Sequence, residues 1–178
     1  MRRLLVVLCT LIVAAGAVSA DVVTLDNETQ TTEFTANVSE QANVSVPVGV
    51  TFNVTNVSAD TASAAQTVSA TTVVLADGKK LRIEIAPDDT DFAAPTGGTV
   101  TWASSDISWV GTWTNGTANN AAMSALAYAY VKLVDMTTAN SGSLSSADLV
   151  FTLADNNTVD RSGNHTLATT WKFSSFGL

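Results

Sequence analysis

Beyond position 42 the chain alternates. Val44, Val46, Val48, Val50, Phe52 and Val54 share one parity, and Asn43, Ser45, Pro47, Gly49, Thr51 and Asn53 the other. This period of two predicts a half-buried strand with one apolar and one wet face. Pro47 has no N–H to give a ladder, which places that part of the strand at an edge or a bend. A second run, residues 71–85, reverses around Asp77-Gly78 and predicts a hairpin. A three-residue loop Ala76-Asp77-Gly78, with Gly78 at positive φ, keeps Val73, Leu75, Leu81, Ile83 and Ile85 on one face and sends Arg82 and Glu84 to water. A two-residue turn would split that apolar set between the faces.

Further strands are expected over residues 99–103, 107–113, 127–136, 148–153 and 166–173, each bounded by Gly, Asn, Asp or Ser. In the last of them Leu167, Thr169, Trp171 and Phe173 fall together. The Ala-rich stretch 121–136 is the one competitor for helix. Tyr128, Tyr130, Val131 and Val134 suit a strand better, so the expectation is a short helical turn near Ala121 followed by a strand. About eight to ten short strands with regular turn signals predict an all-β chain, a single antiparallel two-sheet β-sandwich of Ig-like or pilin-like form.

The N-terminus follows other rules. Met1-Arg2-Arg3 is basic, residues 4–18 are almost unbroken apolar, and Val18-Ser19-Ala20 is a small-residue cleavage site, so residues 1–20 read as a secretory signal peptide. The rival is a retained helix, as a membrane anchor or a type IV pilin core. The run of about fifteen residues falls short of the ~20 that a spanning helix needs. The expected mature chain, from Asp21, is secreted to the exterior or cell surface with no stable membrane span. Cys9 lies inside the leader, so that chain has no cysteine and its stability must come from a hydrophobic core.

Residues 21–41 carry Val22, Val23, Leu25, Phe34 and Val38 among Thr, Glu, Asn and Gln, with no Gly or Pro. They read as an extended N-terminal arm ahead of a sandwich domain at 42–178. Such an arm is either the first strand of its own sandwich or a donor strand that completes a neighbouring subunit's sheet, a head-to-tail contact that yields filaments.

Composition narrows the function. Only 13% of residues are charged, the net charge is −8, and Ser and Thr are abundant. The mature chain keeps six Lys/Arg against sixteen acids, a net charge near −10. Nothing here offers the clustered cations that nucleic acid requires. One His and one Cys cannot ligate zinc or an iron–sulfur cluster, and no cofactor is expected.

Candidate chemistry is sparse. His165, in Gly163-Asn164-His165-Thr166, has no Gly-x-Ser-x-Gly elbow to serve and reads as a turn residue. A glycosidase needs two carboxylates across a cleft, yet three of the four glutamates (Glu28, Glu33, Glu40) precede the patterned core and only Glu84 lies within it. No enzyme is expected. Asp88-Asp89-Thr90-Asp91 and the segment from Asp155 to Asp160 offer oxygen ligands of the kind Ca²⁺ takes, but without EF-hand spacing, and turns use the same residues. Trp102, Trp109 and Trp113 crowd together. Trp102 and Trp109 fit a core, while Trp113, beside a turn, is the one placed to contact carbohydrate.

Eight of the twelve asparagines lie in Asn-x-Ser/Thr: Asn27, Asn37, Asn43, Asn53, Asn56, Asn115, Asn156 and Asn164. With Ser and Thr at about a quarter of the chain, chance gives about three. These are candidate N-glycosylation sites.

Leader, Thr-rich arm, cysteine-free all-β domain and many sequons together resemble the donor-strand filament subunits of prokaryotic cell surfaces, notably archaeal thread and bundling-pilus proteins. The resemblance implies a homopolymer assembled by strand donation. The ending Thr170-Trp171-Lys172-Phe173 is also similar to the terminal strand of WxL-type bacterial surface domains, with Phe173 in place of the expected Leu. Neither likeness carries over functional residues. The expected function is a structural subunit of an extracellular filament or surface layer. The alternative is a secreted adhesion or carbohydrate-binding module that contacts a surface polysaccharide through Trp113.

Overall fold

The computed structural model describes residues 33–177. Residues 1–32, which include the expected leader, most of the arm and Asn27, lie outside the described residues. The domain forms one compact unit beginning at Val38.

Its regular elements are nearly all strands: β1 (Gln41–Ser45), β2 (Thr61–Ala62), β3 (Ser69–Val74), β4 (Lys79–Pro87), β5 (Ile107–Val110), β6 (Trp113–Thr114), β7 (Gly116–Ala118), β8 (Ala121–Ala122), β9 (Val131–Met136), β10 (Ser141–Ser146), β11 (Val150–Leu153) and β12 (Thr169–Gly177). A single 3₁₀ turn, Ser104–Asp106, precedes β5. The all-β class holds. The strands form three four-stranded antiparallel sheets, ordered β1-β3-β10-β6, β2-β11-β5-β8 and β12-β4-β9-β7, in place of two. One cause is local: β6 and β7 are separated only by Asn115, yet belong to different sheets. Asn115 makes that corner with φ 59°, a left-handed conformation asparagine tolerates. A Cβ on Gly116 would lie 2.6 Å from both Leu144 and Val134, so the corner also needs glycine for close approach.

One hydrophobic cluster draws on all three sheets. Val73 and Leu144 come from the first, Ile107, Trp109, Phe151 and Leu153 from the second, and Leu81, Ile83, Ile85, Leu133, Val134 and Met136 from the third. Each fully buried side chain of this size contributes about 1.5–3 kcal/mol. Strand β4 carries most of its sheet because Leu81, Ile83 and Ile85 alternate inward while Arg82 and Glu84 stay half-exposed, as the pattern predicts.

The predicted hairpin forms its turn but not its ladder. Gly78 has φ 73° and the Lys79 N–H bonds the Ala76 carbonyl at 3.1 Å. Yet β3 and β4 enter different sheets, because Asn140 wedges between them. Its backbone carbonyl accepts from Leu75 N–H at 2.7 Å and its N–H donates to the Lys79 carbonyl at 2.9 Å, while its side chain binds Gly78 N–H and Asp77. The bonds that would close the hairpin go to Asn140 instead.

The long alternating strand also divides. Only Gln41–Ser45 joins a sheet, as the edge strand β1, and the chain bends just past Pro47. Val48 is fully exposed and Val44 is nearly half-exposed, whereas Val46, Val50, Phe52 and Val54 pack on the core. Residues 99–103 form no strand, and Ala121–Ala122 form a strand, not a helical turn. Strand β10 (SGSLSS) has no apolar alternation; Leu144 is its one buried apolar side chain, and Ser146 accepts from the Val68 N–H at 2.9 Å.

Candidate functional site: an open apolar groove

Residues 46–57 join no sheet, bending at Val48 and Thr55, and pack on the core through Val46, Val50, Phe52, Val54 and Val57. Among the described residues, positions 46–55 make no main-chain hydrogen bond. The segment is tied at its far end, where the Asn156 N–H donates to the Val57 carbonyl at 2.7 Å. A segment with half-buried alternate side chains and a backbone unpaired among the described residues can accept another strand, since peptide groups left without partners are costly when water is excluded.

Beside this segment runs a groove of about 1260 Å³. Its floor includes Ile85, Phe92, Trp102, Ile107, Phe151 and Leu153, and its far wall is Val159, Leu167 and Trp171. The near wall belongs to no sheet, while the far wall runs from the loop at Val159 into Trp171 of β12. The far wall is secured from behind by paired bonds between Ala93 and Thr166, at 2.8 and 3.1 Å, and by the Asp88 N–H to the Ala168 carbonyl at 3.0 Å.

A polar clasp holds the rim. Asp160 accepts from the Thr99 hydroxyl at 2.6 Å and from the Thr99 and Val100 N–H groups at 3.1 Å. The Thr99 hydroxyl, followed by those two backbone donors, brings its carboxyl down to about 2. The Arg161 guanidinium donates to the Gly97 carbonyl at 3.0 Å. His165 sits in the same rim with its ring edge on Trp102, centroids 5.1 Å apart. Its Nε2 faces the Arg161 carbonyl at 3.0 Å and must carry the proton, so Nδ1 accepts from the Thr101 hydroxyl at 2.7 Å. With both nitrogens occupied, His165 positions the loop.

The other residues singled out in the sequence are dispersed. Trp102 and Trp109 are core, their indole N–H groups donating to Ala154 and Asn119 carbonyls. Trp113 is half-buried and packs on the core. Within Asp88-Asp89-Thr90-Asp91 the carboxylates serve turns: Asp89 accepts from Thr90 N–H, Asp91 from the Thr90 hydroxyl, and Asp88 from the Thr170 hydroxyl. No group of three metal-ligating side chains converges among the described residues. No helix among them is long and apolar enough to cross a membrane.

The sequons divide by geometry. Asn37, Asn43, Asn53, Asn56 and Asn164 are exposed, whereas Asn115 and Asn156 are half-buried. Asn115 donates through Nδ2 to the Ser143 carbonyl at 3.0 Å and accepts from both Thr137 and Thr138. Asn156 donates to the Thr101 carbonyl at 3.0 Å and closes a turn onto Thr158.

The groove itself was missed from sequence, because it consists of a missing pairing. Its one legible sign was Pro47, which forbids part of the ladder. At the arm's end Glu40 accepts from the Ser175 hydroxyl at 2.6 Å and the Ala76 N–H at 2.8 Å, with Lys79 at 3.6 Å. Those partners, the Ser175 hydroxyl first, hold its carboxyl below the ordinary range. Just before it Phe34 is 93% exposed and Val38 69%.

Comparison with known proteins finds no matching family model, characterised protein or solved structure.

Proposed function

We propose that this protein is a structural, non-catalytic subunit of an extracellular filament or surface layer, assembled by strand donation between copies. The observation that carries the reading is the groove: open, apolar at its floor, and bordered by residues 46–55, whose backbone is unpaired among the described residues. The same chain supplies a fitting strand. Phe34, Ala36 and Val38 share one parity while Glu33, Thr35, Asn37 and Ser39 share the other, so an extended arm presents an apolar row to a groove and a polar row to water. Exposed Phe34 and Val38 are what a donor would bury in a second copy. A groove between an unpaired segment and strand β12 is also where a sandwich-like domain would be completed by an incoming strand. Secretion through the leader at 1–20 is part of the proposal. The carbohydrate-binding alternative has less support, since Trp113 packs inward.

The experiment compares the chain from Asp21 with one lacking residues 21–38, which keeps the Glu40 anchor and β1. Negative-stain images are expected to show fibres for the first and monomers for the second, and a peptide of residues 21–39 is expected to bind the truncated domain. Equal assembly by both chains would sink the proposal.

A further inference from the structure

We infer that Asn43, Asn53, Asn56 and Asn164 are acceptors of N-linked glycan, and that Asn115 and Asn156 are sequons in sequence only. The inference stands apart from the filament reading and rests on side-chain geometry. In N-glycosylation the Asn Nδ2 attacks the anomeric carbon of a lipid-phosphate-linked sugar. A C–N bond forms, the sugar C–O bond breaks with its electron pair leaving on the phosphate, and Nδ2 gives up one proton to solvent. Nδ2 must therefore be reachable and not already committed.

At Asn115 and Asn156 it is committed. Each donates to a backbone carbonyl at 3.0 Å from a half-buried position, while its Oδ1 is used by hydroxyl and N–H donors of nearby threonines. Asn115 also makes the left-handed corner between two sheets, and a Cβ on Gly116 after it would meet Leu144 and Val134 at 2.6 Å. The sequon at 115 is thus accounted for by folding: Asn for the corner, Gly for the close approach, and Thr117 as a residue of β7. Non-sequon Asn119, Asn120 and Asn140 likewise spend their side chains on backbone groups.

The four sequons at 43, 53, 56 and 164 lack such work. Asn43, Asn53 and Asn164 are exposed, and their side chains make no hydrogen bond among the described residues. Asn56 uses only Oδ1, accepting from the Ser58 N–H at 3.0 Å, which leaves Nδ2 open. Folding does not explain why Ser or Thr recurs two places after each of these. Asn53 and Asn164 lie on opposite rims of the groove. Glycan at both would flank its mouth, admitting a thin extended strand while blocking the sheet-to-sheet pairing to which open edges are prone.

The test uses the full chain, folded and unglycosylated. It is incubated with a single-subunit oligosaccharyltransferase that needs only Asn-x-Ser/Thr, together with its lipid-linked sugar donor. A proteolytic digest of the same chain is the reference, and occupancy is read by glycopeptide mass spectrometry. Asn43, Asn53, Asn56 and Asn164 are expected to react in the folded chain about as fast as in the digest. Asn115 and Asn156 are expected to react about tenfold slower or less, since local opening must break several hydrogen bonds first. Digest-like rates at Asn115 or Asn156, or protection at any of the four acceptors, would overturn the assignment at that site. A second measurement bears on the same division: Asn115→Gln and Asn156→Gln lower the thermal midpoint, whereas Asn53→Gln and Asn164→Gln leave it unchanged. A drop for the latter pair equal to that for the former contradicts the inference.

Discussion

Two sides of one hydrophobic core are finished differently. Around Leu144, Val134 and Met136 the core is closed by laddered strands, by the Asn115 corner and by the Asn140 wedge, with no space for an added Cβ at Gly116. Around Phe52, Leu167 and Trp171 the ladder stops at β12, and residues 46–55 facing it pair with nothing among the described residues. Apolar patterning is equally strong on both sides, Phe52 and Val54 being as regular as Ile83 and Ile85. What separates them is whether the backbone behind the pattern finds a partner within the described domain. Hydrophobic alternation therefore specifies a face to bury, and says nothing of which chain will supply the neighbouring strand.

Truncations on the two sides should differ most. Leu144→Ala removes a side chain that is 1% exposed at the centre of the closed side and is expected to cost about 2–5 kcal/mol in chemical denaturation. Phe52→Ala, on the open side, is expected to cost about 1–2 kcal/mol in the isolated domain because Phe52 is only half-buried. The distinction breaks down if Phe52→Ala proves as costly as Leu144→Ala without any assembly.

Next in size is the wedge. Asn140→Ala loses two side-chain bonds and places a Cβ-bearing residue without a local hydrogen bond at φ 68°, for an expected loss of about 1–2 kcal/mol. Asn140→Gly should recover the conformational part. If the alanine and glycine variants are equally unstable, the left-handed backbone is not what asparagine supplies there.

Hydrogen exchange reads the same contrast without substitution. Amides of β4 and β9, laddered on both sides, are expected to exchange slowly, and those of residues 49–55 fast. Added arm peptide should slow the second group alone. Slow exchange at 49–55 in the peptide-free domain would show that the edge is already paired.

How much of this was legible follows from the same contrast. Strand β4 and the burial of Trp102 and Trp109 could be read because period two and bulk survive in any sheet arrangement. Gly78 at positive φ was legible because turn chemistry is local. The partner exchange at Asn140 was not, since a residue some sixty positions away takes the hairpin's bonds. Nor was β10, whose Ser/Gly composition imitates a loop and whose one buried apolar side chain is Leu144. The groove was half visible: the apolar rows of both walls, Val50 to Val54 and Leu167 to Phe173, were plain, but the missing ladder between them was hinted at only by Pro47.

The smallest expected effect concerns the clasp on the open side. Asp160 is solvent-exposed, so its hydrogen bonds to Thr99 and Val100 are worth little individually, but they bring its carboxyl from an ordinary 3.8 to about 2. A carboxyl depressed in the folded state stabilises above its unfolded value, and that contribution fades as pH falls from about 4 towards 2. Asp135 and Glu40 are depressed as well and lose stability in the same direction. Burial of Asp135 works to raise its pKa, but is outweighed by hydrogen bonds from Arg82 and Lys132. The clasp must therefore be isolated by difference. Asp160→Asn removes its titration while leaving one acceptor oxygen, so the thermal midpoint of the variant should lie below that of the parent at pH 7. The gap should close by about pH 2, where the parent's Asp160 is itself becoming protonated. Asp135→Asn, on the laddered side beside Arg82, should show its own gap closing with acid, and without loosening of residues 159–165 by hydrogen exchange. Acid loosening of 159–165 that is the same in parent and Asp160→Asn would mean the rim is held by His165 and the Ala93–Thr166 pair, with the carboxylate incidental.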